Sequence, residues 1–234
     1  MERVREIAPD VARSTAITEF IQRPTQWRIE RARHRLGSLW DASMDGTLFA
    51  QLTANPSTEH VLAVVGDLLA HDHAGALDWA TSRLNAESIR DDERREVSLG
   101  MADILARHAP ATLWTLASNT VASDQEAAKL LLGHLAHESG SGWSSHLEPG
   151  QLGELFAWLH RCLPPQPETP PERRGAVSPA MHVSFWRSRI LEQLASAGTH
   201  AAVEAMSRLE QEFDEYVWIR SMRHRAQEEL RRAL

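Results

Sequence analysis

Apolar residues recur at intervals of three and four along most of the chain, which is the spacing that puts them on one face of an α-helix. The clearest stripe consists of Ala202, Met206, Leu209 and Phe213, and comparable stripes follow one another between Val61 and Leu230. Strand signals are weak, because β-branched residues seldom cluster and the chain has one tyrosine. The pattern therefore predicts an all-α protein.

Turn-forming and helix-capping residues separate these stripes at fairly regular intervals. Pro110 is suited to the first turn of a helix, and Ala197-Gly198-Thr199 predicts a hinge between two late helices. The expected helices form antiparallel pairs that recur about every 30–40 residues, as in HEAT- or TPR-like α-solenoids. We therefore expect one irregular α-solenoid domain over residues 1–234. Because no repeat consensus is visible, a compact irregular helix bundle is the alternative.

Three segments depart from the helical pattern. Residues 1–22 are expected to form a peripheral N-terminal segment. Residues 138–145, rich in glycine and serine, predict a flexible loop. Residues 164–180 contain six of the eleven prolines, so they predict an extended proline-rich loop within the domain.

Charge is unevenly distributed and argues against a nucleic-acid partner. The net charge of the whole chain is −7, but residues 36–172 alone carry −12. Proteins that bind nucleic acids need clustered positive charge, so an acidic middle segment disfavours a HEAT-like nucleic-acid enzyme. The longest apolar run is five residues, Val61–Val65, which is too short for a membrane span. The N-terminal residues lack an apolar signal region and Cys162 is the only cysteine, so a cytoplasmic protein is expected.

No catalytic motif is present. The sole lysine, Lys129, lies in a helical stripe and not in a phosphate-binding Gly-Lys-Ser/Thr loop. His134 and His137 share a helical face with Glu138 nearby, but a metal site needs further ligands, and only His71 and His73 suggest themselves. We interpret these histidines as surface and helix-end residues, and Cys162 as a buried, inert thiol. The sequence therefore predicts a protein that is not an enzyme and has no metal or cofactor.

Eight tryptophans stand against one tyrosine, and most of them lie in helical stripes, where they are expected to lock neighbouring helices together. Trp143 is the exception, because Gly142 and Ser144 flank it. Exposed tryptophan is enriched at interaction hot spots, so Trp143 is a candidate partner contact. The alternative is that Trp143 pins a loop onto the core.

The C-terminal third contains a run of short sequence features in a fixed order. It begins with Leu155-Phe156-Ala157-Trp158-Leu159, continues through Leu163-Pro164-Pro165 and Val177-Ser178-Pro179 to Trp186–Leu191, and ends with Val217-Trp218-Ile219 and an arginine-rich helix. In this order of features, Leu155–Ala233 resembles the C-terminal helical region of bacterial STAND NTPases of the NACHT class. The resemblance implies a sensor region that belongs with an effector and a nucleotide-binding module, often in antiviral defence. It carries over no catalytic residue.

Together these observations predict a non-catalytic surface that recognises another protein. By the resemblance, the partner would be a phage protein or a fused NTPase module. The alternative function is a general protein-interaction adaptor or assembly scaffold unrelated to defence.

Overall fold

A computed structural model describes residues 8–54, 57–165, 179–213 and 217–234, with the side chain of Val217 excepted. These residues form fourteen α-helices and, within the described ranges, no β-strand. The all-α prediction is confirmed.

The chain divides into two compact units, residues 1–109 and 110–234. The helices of the first unit are α1 (Pro9–Ala16), α2 (Gln26–Leu36), α3 (Ala42–Ala54), α4 (Thr58–Ala70), α5 (Ala74–Arg83), α6 (Ala86–Arg90) and α7 (Arg95–His108). Those of the second unit are α8 (Pro110–Ser123), α9 (Gln125–His137), α10 (Gly140–Ser144), α11 (Pro149–Cys162), α12 (Pro179–Ser196), α13 (His200–Glu212) and α14 (Val217–Ala233). The single solenoid domain expected over 1–234 stays a prediction, since a stack of helix pairs that contact only their neighbours can be divided between any two pairs.

The N-terminal segment packs into the first unit from Pro9 onward. Helix α1 continues into a π-helical turn, Ile17–Ile21, and this turn contacts α2 and α3. Ala16, Phe20 and Ile21 are buried in the process. Residues 1–7 of the segment expected at the periphery, 1–22, lie outside the described residues.

In the first unit, α4 and α7 lie side by side and run in the same direction. A methyl group added to Gly100 of α7 would lie 2.6 Å from Leu62 Cδ1 of α4, and one added to Gly66 would lie 3.9 Å from Ile104 Cδ1. Both pairs join positions 38 residues apart, so the numbering rises together along the two helices. The missing side chain of Gly100 lets Leu62 approach the α7 backbone.

A similar arrangement occurs in the second unit between α11 and α13, with α12 between them in the chain. A methyl group on Gly153 would lie 3.4 Å from Ala205 Cβ, and Arg161 Nε lies 4.0 Å from Glu212 Oε1. These two pairs also rise together in numbering, so α11 and α13 run in the same direction. Thr199 caps α13 by accepting a hydrogen bond from the Ala202 amide, and Gly198 has a φ of 60°. The predicted hinge at 197–199 is confirmed.

Four tryptophans form a continuous aromatic row inside the second unit. The Trp114 ring stacks on Trp158 at 4.5 Å, Trp143 lies 6.2 Å from Trp114, and Trp186 lies 6.3 Å from Trp143. These rings come from α8, α11, α10 and α12, so the row ties four helices together, as the sequence predicts for most tryptophans.

The flexible loop predicted over 138–145 is wrong. Residues Gly140–Ser144 form the short helix α10, and a methyl group on Gly140 would lie 2.6 Å from Trp186 Cε2. One of the glycines that suggested flexibility, Gly140, instead allows α10 to approach the core closely.

Most of the proline-rich loop predicted over 164–180 lies outside the described residues, namely 166–178. The predicted C-terminal boundary of the loop, residue 180, is wrong, because Pro179 and Ala180 already belong to α12. Proline is tolerated at the first position of a helix, where its missing amide proton costs no hydrogen bond. On the far side of the loop, buried Arg187 of α12 donates Nη2 hydrogen bonds to the carbonyl oxygens of Leu159, at 2.8 Å, and Leu163, and so caps the end of α11.

Candidate recognition groove

The first unit contains an open groove that we call the α2–α4–α7 groove. It encloses about 650 Å³ and is lined by Gln26 and Glu30 of α2, by Glu59, Leu62, Ala63, Gly66, Asp67 and Ala70 of α4 with His71 at its end, and by Gly100, Asp103, Ile104, Arg107 and His108 of α7. This volume falls within the range of about 300–1,000 Å³ that is usual for ligand sites.

Small residues form much of the groove wall. Ala63, Gly66 and Ala70 lie along one face of α4. Beyond the backbone of its own helix and its chain neighbours, a methyl group on Gly66 would have only the Ile104 side chain within 4 Å. The groove is therefore open because these positions lack large side chains.

The charge of the groove lining is predominantly negative. Four carboxylates line it, those of Glu30, Glu59, Asp67 and Asp103, against a single arginine, Arg107. Partial desolvation, together with the positive charge of Arg107, lowers the pKa of His108. At neutral pH His108 therefore adds little positive charge to the groove.

Beneath the groove, Arg33 of α2 holds three helices together. Its guanidinium bonds both oxygens of Asp67 on α4, with the closest contact at 2.6 Å, and also Asp45 Oδ1 of α3, at 2.7 Å. Trp40 Nε1 donates to the same Asp45 oxygen at 2.8 Å, and the Trp40 ring lies under the Arg33 guanidinium. This network fixes the position of the Asp67 carboxylate at the groove.

A second, smaller groove of about 210 Å³ lies between α11 and α13. Four of its five charged side chains form two pairs, Arg208 with Glu204 and Arg161 with Glu212, and the fifth is Glu154. Because the charges of these pairs offset each other, this groove selects less strongly for a charged partner than the α2–α4–α7 groove does.

The structure does not support Trp143 as a partner contact. Its side chain is 0% exposed and its Nε1 donates to the backbone oxygen of Pro110 at 3.2 Å. The prediction of an exposed anchor is wrong, because the close approach of α10 at Gly140 brings the indole into the core. The alternative, a segment pinned onto the core by Trp143, is what the structure has.

The tryptophan that α2 presents to solvent is Trp27. It is 59% exposed, and the Arg31 guanidinium stacks over its ring at 4.7 Å from the centroid. Most tryptophans in helical stripes are expected to lie in the interior, so the sequence did not single out Trp27. The three arginines near it in the sequence, Arg23, Arg28 and Arg31, could have indicated its exposure, because a core residue seldom has so many charged neighbours.

The histidines singled out from the sequence occur in different units, His71 and His73 in the first and His134 and His137 in the second. His137 contacts Glu138 and its ring lies tilted against that of His182, while His73 stacks on Phe49 and caps α5. Within the described ranges, no group of three or more histidines, cysteines or carboxylates is placed to hold a metal ion.

Cys162 is buried in α11, and this burial raises the pKa of its thiol, against smaller opposite effects of Arg161 and Lys129. We expect a thiol reagent such as Ellman's reagent to label the native chain at least about tenfold more slowly than the urea-unfolded chain. The release of thionitrobenzoate reports this single thiol directly. Equal labelling rates in the two states would contradict the buried position.

No protein-family model, curated protein or solved structure matches this chain. None of the helices in the described part of the chain has the length and apolar character that crossing a lipid bilayer requires.

Proposed function

We propose that this chain is a non-catalytic protein-recognition module, built as an irregular HEAT- or TPR-like α-solenoid, with the α2–α4–α7 groove as its recognition surface. The main support for this proposal is the groove itself, because three helices form one concave and accessible face. The shared direction of α4 and α7, and of α11 and α13, supports the solenoid, since equivalent helices of successive repeats run the same way.

The groove lining suits recognition better than catalysis. Its described side chains include no serine, threonine, cysteine or lysine that could act as a nucleophile beside His71 or His108. Exposed Trp27 on the neighbouring face of α2 extends the surface, and tryptophan is enriched where partners bind tightly.

Within this class we assign the chain to the sensor region of a NACHT-class STAND NTPase, or to a relative of one, acting in the cytoplasm. The resemblance of Leu155–Ala233 supports this assignment. Binding of a phage protein would then bias the closed–open equilibrium of the attached modules, including the nucleotide-binding one.

Affinity capture tests the proposal, with the chain as bait in bacterial cells with and without phage infection. We expect one phage protein to be enriched from infected cells and identified by mass spectrometry. Its capture should fall with Trp27→Ser but not with Phe185→Ser, which removes another exposed aromatic side chain, from α12 (67% exposed).

Two results would favour other functions. Identical sets of host proteins from both cultures would favour the adaptor or scaffold function. Capture of no protein under either condition would contradict protein recognition itself. The gene context adds an independent check, since a nucleotide-binding module encoded in the same or a neighbouring gene supports the sensor assignment.

A further inference from the structure

We infer that the α2–α4–α7 groove binds a short basic peptide segment of the partner protein, with arginine or lysine side chains directed at its carboxylates. This inference rests on the proposed function and specifies the chemistry of the partner. Shape and charge support it separately.

The length of the groove suits a peptide. Its lining extends along α4 from Glu59 to His71, a distance of about 18 Å at 1.5 Å per helical residue. A strand-like peptide rises about 3.3 Å per residue, so five or six extended residues fit along it. Ala63 and Gly66 leave room for the peptide backbone to come close to α4.

The charge of the groove selects for a basic occupant. Glu30 and Glu59 are exposed on α2 and α4, so their carboxylates are accessible to an incoming side chain. The described lining has Arg107 as its only arginine or lysine and four carboxylates, of which Asp67 is already paired with Arg33 from outside the lining. Complementary charge increases the association rate and excludes acidic competitors.

A simple cation is a poorer occupant than a peptide. The described carboxylates and histidines do not gather into any group of three that could hold a metal ion. Asp67 already accepts a fork of hydrogen bonds from Arg33, which leaves it less able to serve as a metal ligand. The acidic side chains are instead distributed over three helices, as a ligand with several separated positive groups requires.

The experiment is selection of a displayed library of random seven-residue peptides on the whole protein. Counter-selection uses Gly66→Leu, which fills the groove without changing its charge. We expect the enriched peptides to carry at least two arginine or lysine residues. No enrichment over Gly66→Leu, or enriched peptides without basic residues, would overturn the inference.

The best enriched peptide is then labelled with fluorescein and its binding is measured by fluorescence anisotropy. We expect Glu30→Gln/Glu59→Gln to weaken binding about tenfold, because two charge-assisted contacts are lost. The matched control is Glu93→Gln/Glu96→Gln, which removes two exposed carboxylates of the same unit outside the groove lining. Equal weakening by both pairs would show only non-specific attraction and would overturn the inference.

Competition separates a peptide from a free polyamine. If spermine displaces the labelled peptide at the same concentration as the unlabelled peptide does, the groove is a cation site and the inference is wrong. The results also distinguish this inference from the proposed function. Non-basic peptides that still require an open Gly66 would remove the charge claim and leave protein recognition standing.

Discussion

Replacing Arg33 with methionine is expected to lower the free energy of unfolding by about 3 kcal/mol, the lower end of the range for breaking a buried ion pair. The Arg33 guanidinium bonds Asp67 and Asp45 through the same Nη2 atom, at 2.6 and 2.7 Å. The side chains of Arg33 and Asp67 are only 14% and 8% exposed, so water cannot replace the lost charge effectively. Two carboxylates would be left close together and poorly solvated.

Urea unfolding followed by circular dichroism measures this loss as a lower midpoint. The matched control is Arg31→Met, the same substitution on the same helix. Because Arg31 stacks on exposed Trp27 at the surface, its loss should cost about 1 kcal/mol at most. Equal midpoints for the two variants would contradict the structural role assigned to Arg33.

A second substitution separates charge from packing. If unpaired carboxylates cause the instability, Asp67→Asn should recover part of it in the Arg33→Met background, while Asp67→Asn alone should destabilise the protein. Asp67→Asn would then have opposite effects on stability in the parent and in the Arg33→Met background. In a double-mutant cycle, such a difference shows that the two residues are coupled. Additive losses would instead indicate that Arg33 acts by packing on Trp40.

Hydrophobic spacing was sufficient to predict the class of fold and several helix boundaries. Helix α8 begins at Pro110 and α13 follows the 197–199 hinge, because proline and positive-φ glycine have few other places in a helical chain. The solenoid arrangement depends on which helices lie next to one another. That information is long-range, and a periodic pattern does not contain it.

The candidate groove was missed for a similar reason. Gly66 and Gly100 stand inside apolar stripes, and a glycine within a helical pattern often has a packing reason. Their separation in the chain gave no indication that both line one groove. Nothing in the sequence distinguished Arg33 from its neighbours either, because it is one of five arginines between residues 23 and 35. The prediction for Trp143 was wrong for a different reason. The glycines and serines around it predict a mobile loop when the close approach that Gly140 permits is not known.

The second large effect on stability is expected in the second unit, where Gly140 of α10 lies close to Trp186 of α12. Gly140→Ala should lower the free energy of unfolding by about 2–3 kcal/mol, as overpacking of a filled core does. The added methyl group would lie 2.6 Å from Trp186 Cε2 and 2.7 Å from the Leu135 carbonyl oxygen. Neither obstacle moves easily, because one is backbone and the other is an indole that is 1% exposed.

Gly142→Ala is the matched control, since it makes the same change two residues later in α10. No heavy atom lies within 4 Å of its added methyl group, so the variant should be as stable as the parent or gain up to about 1 kcal/mol of helix propensity. Urea midpoints from tryptophan fluorescence compare the two variants, and hydrogen exchange should show the loss in α10 and α12. If Gly140→Ala is as stable as Gly142→Ala, α10 does not pack on Trp186 as described. The contact between Trp143 and Trp186 in the aromatic row would then be in doubt as well.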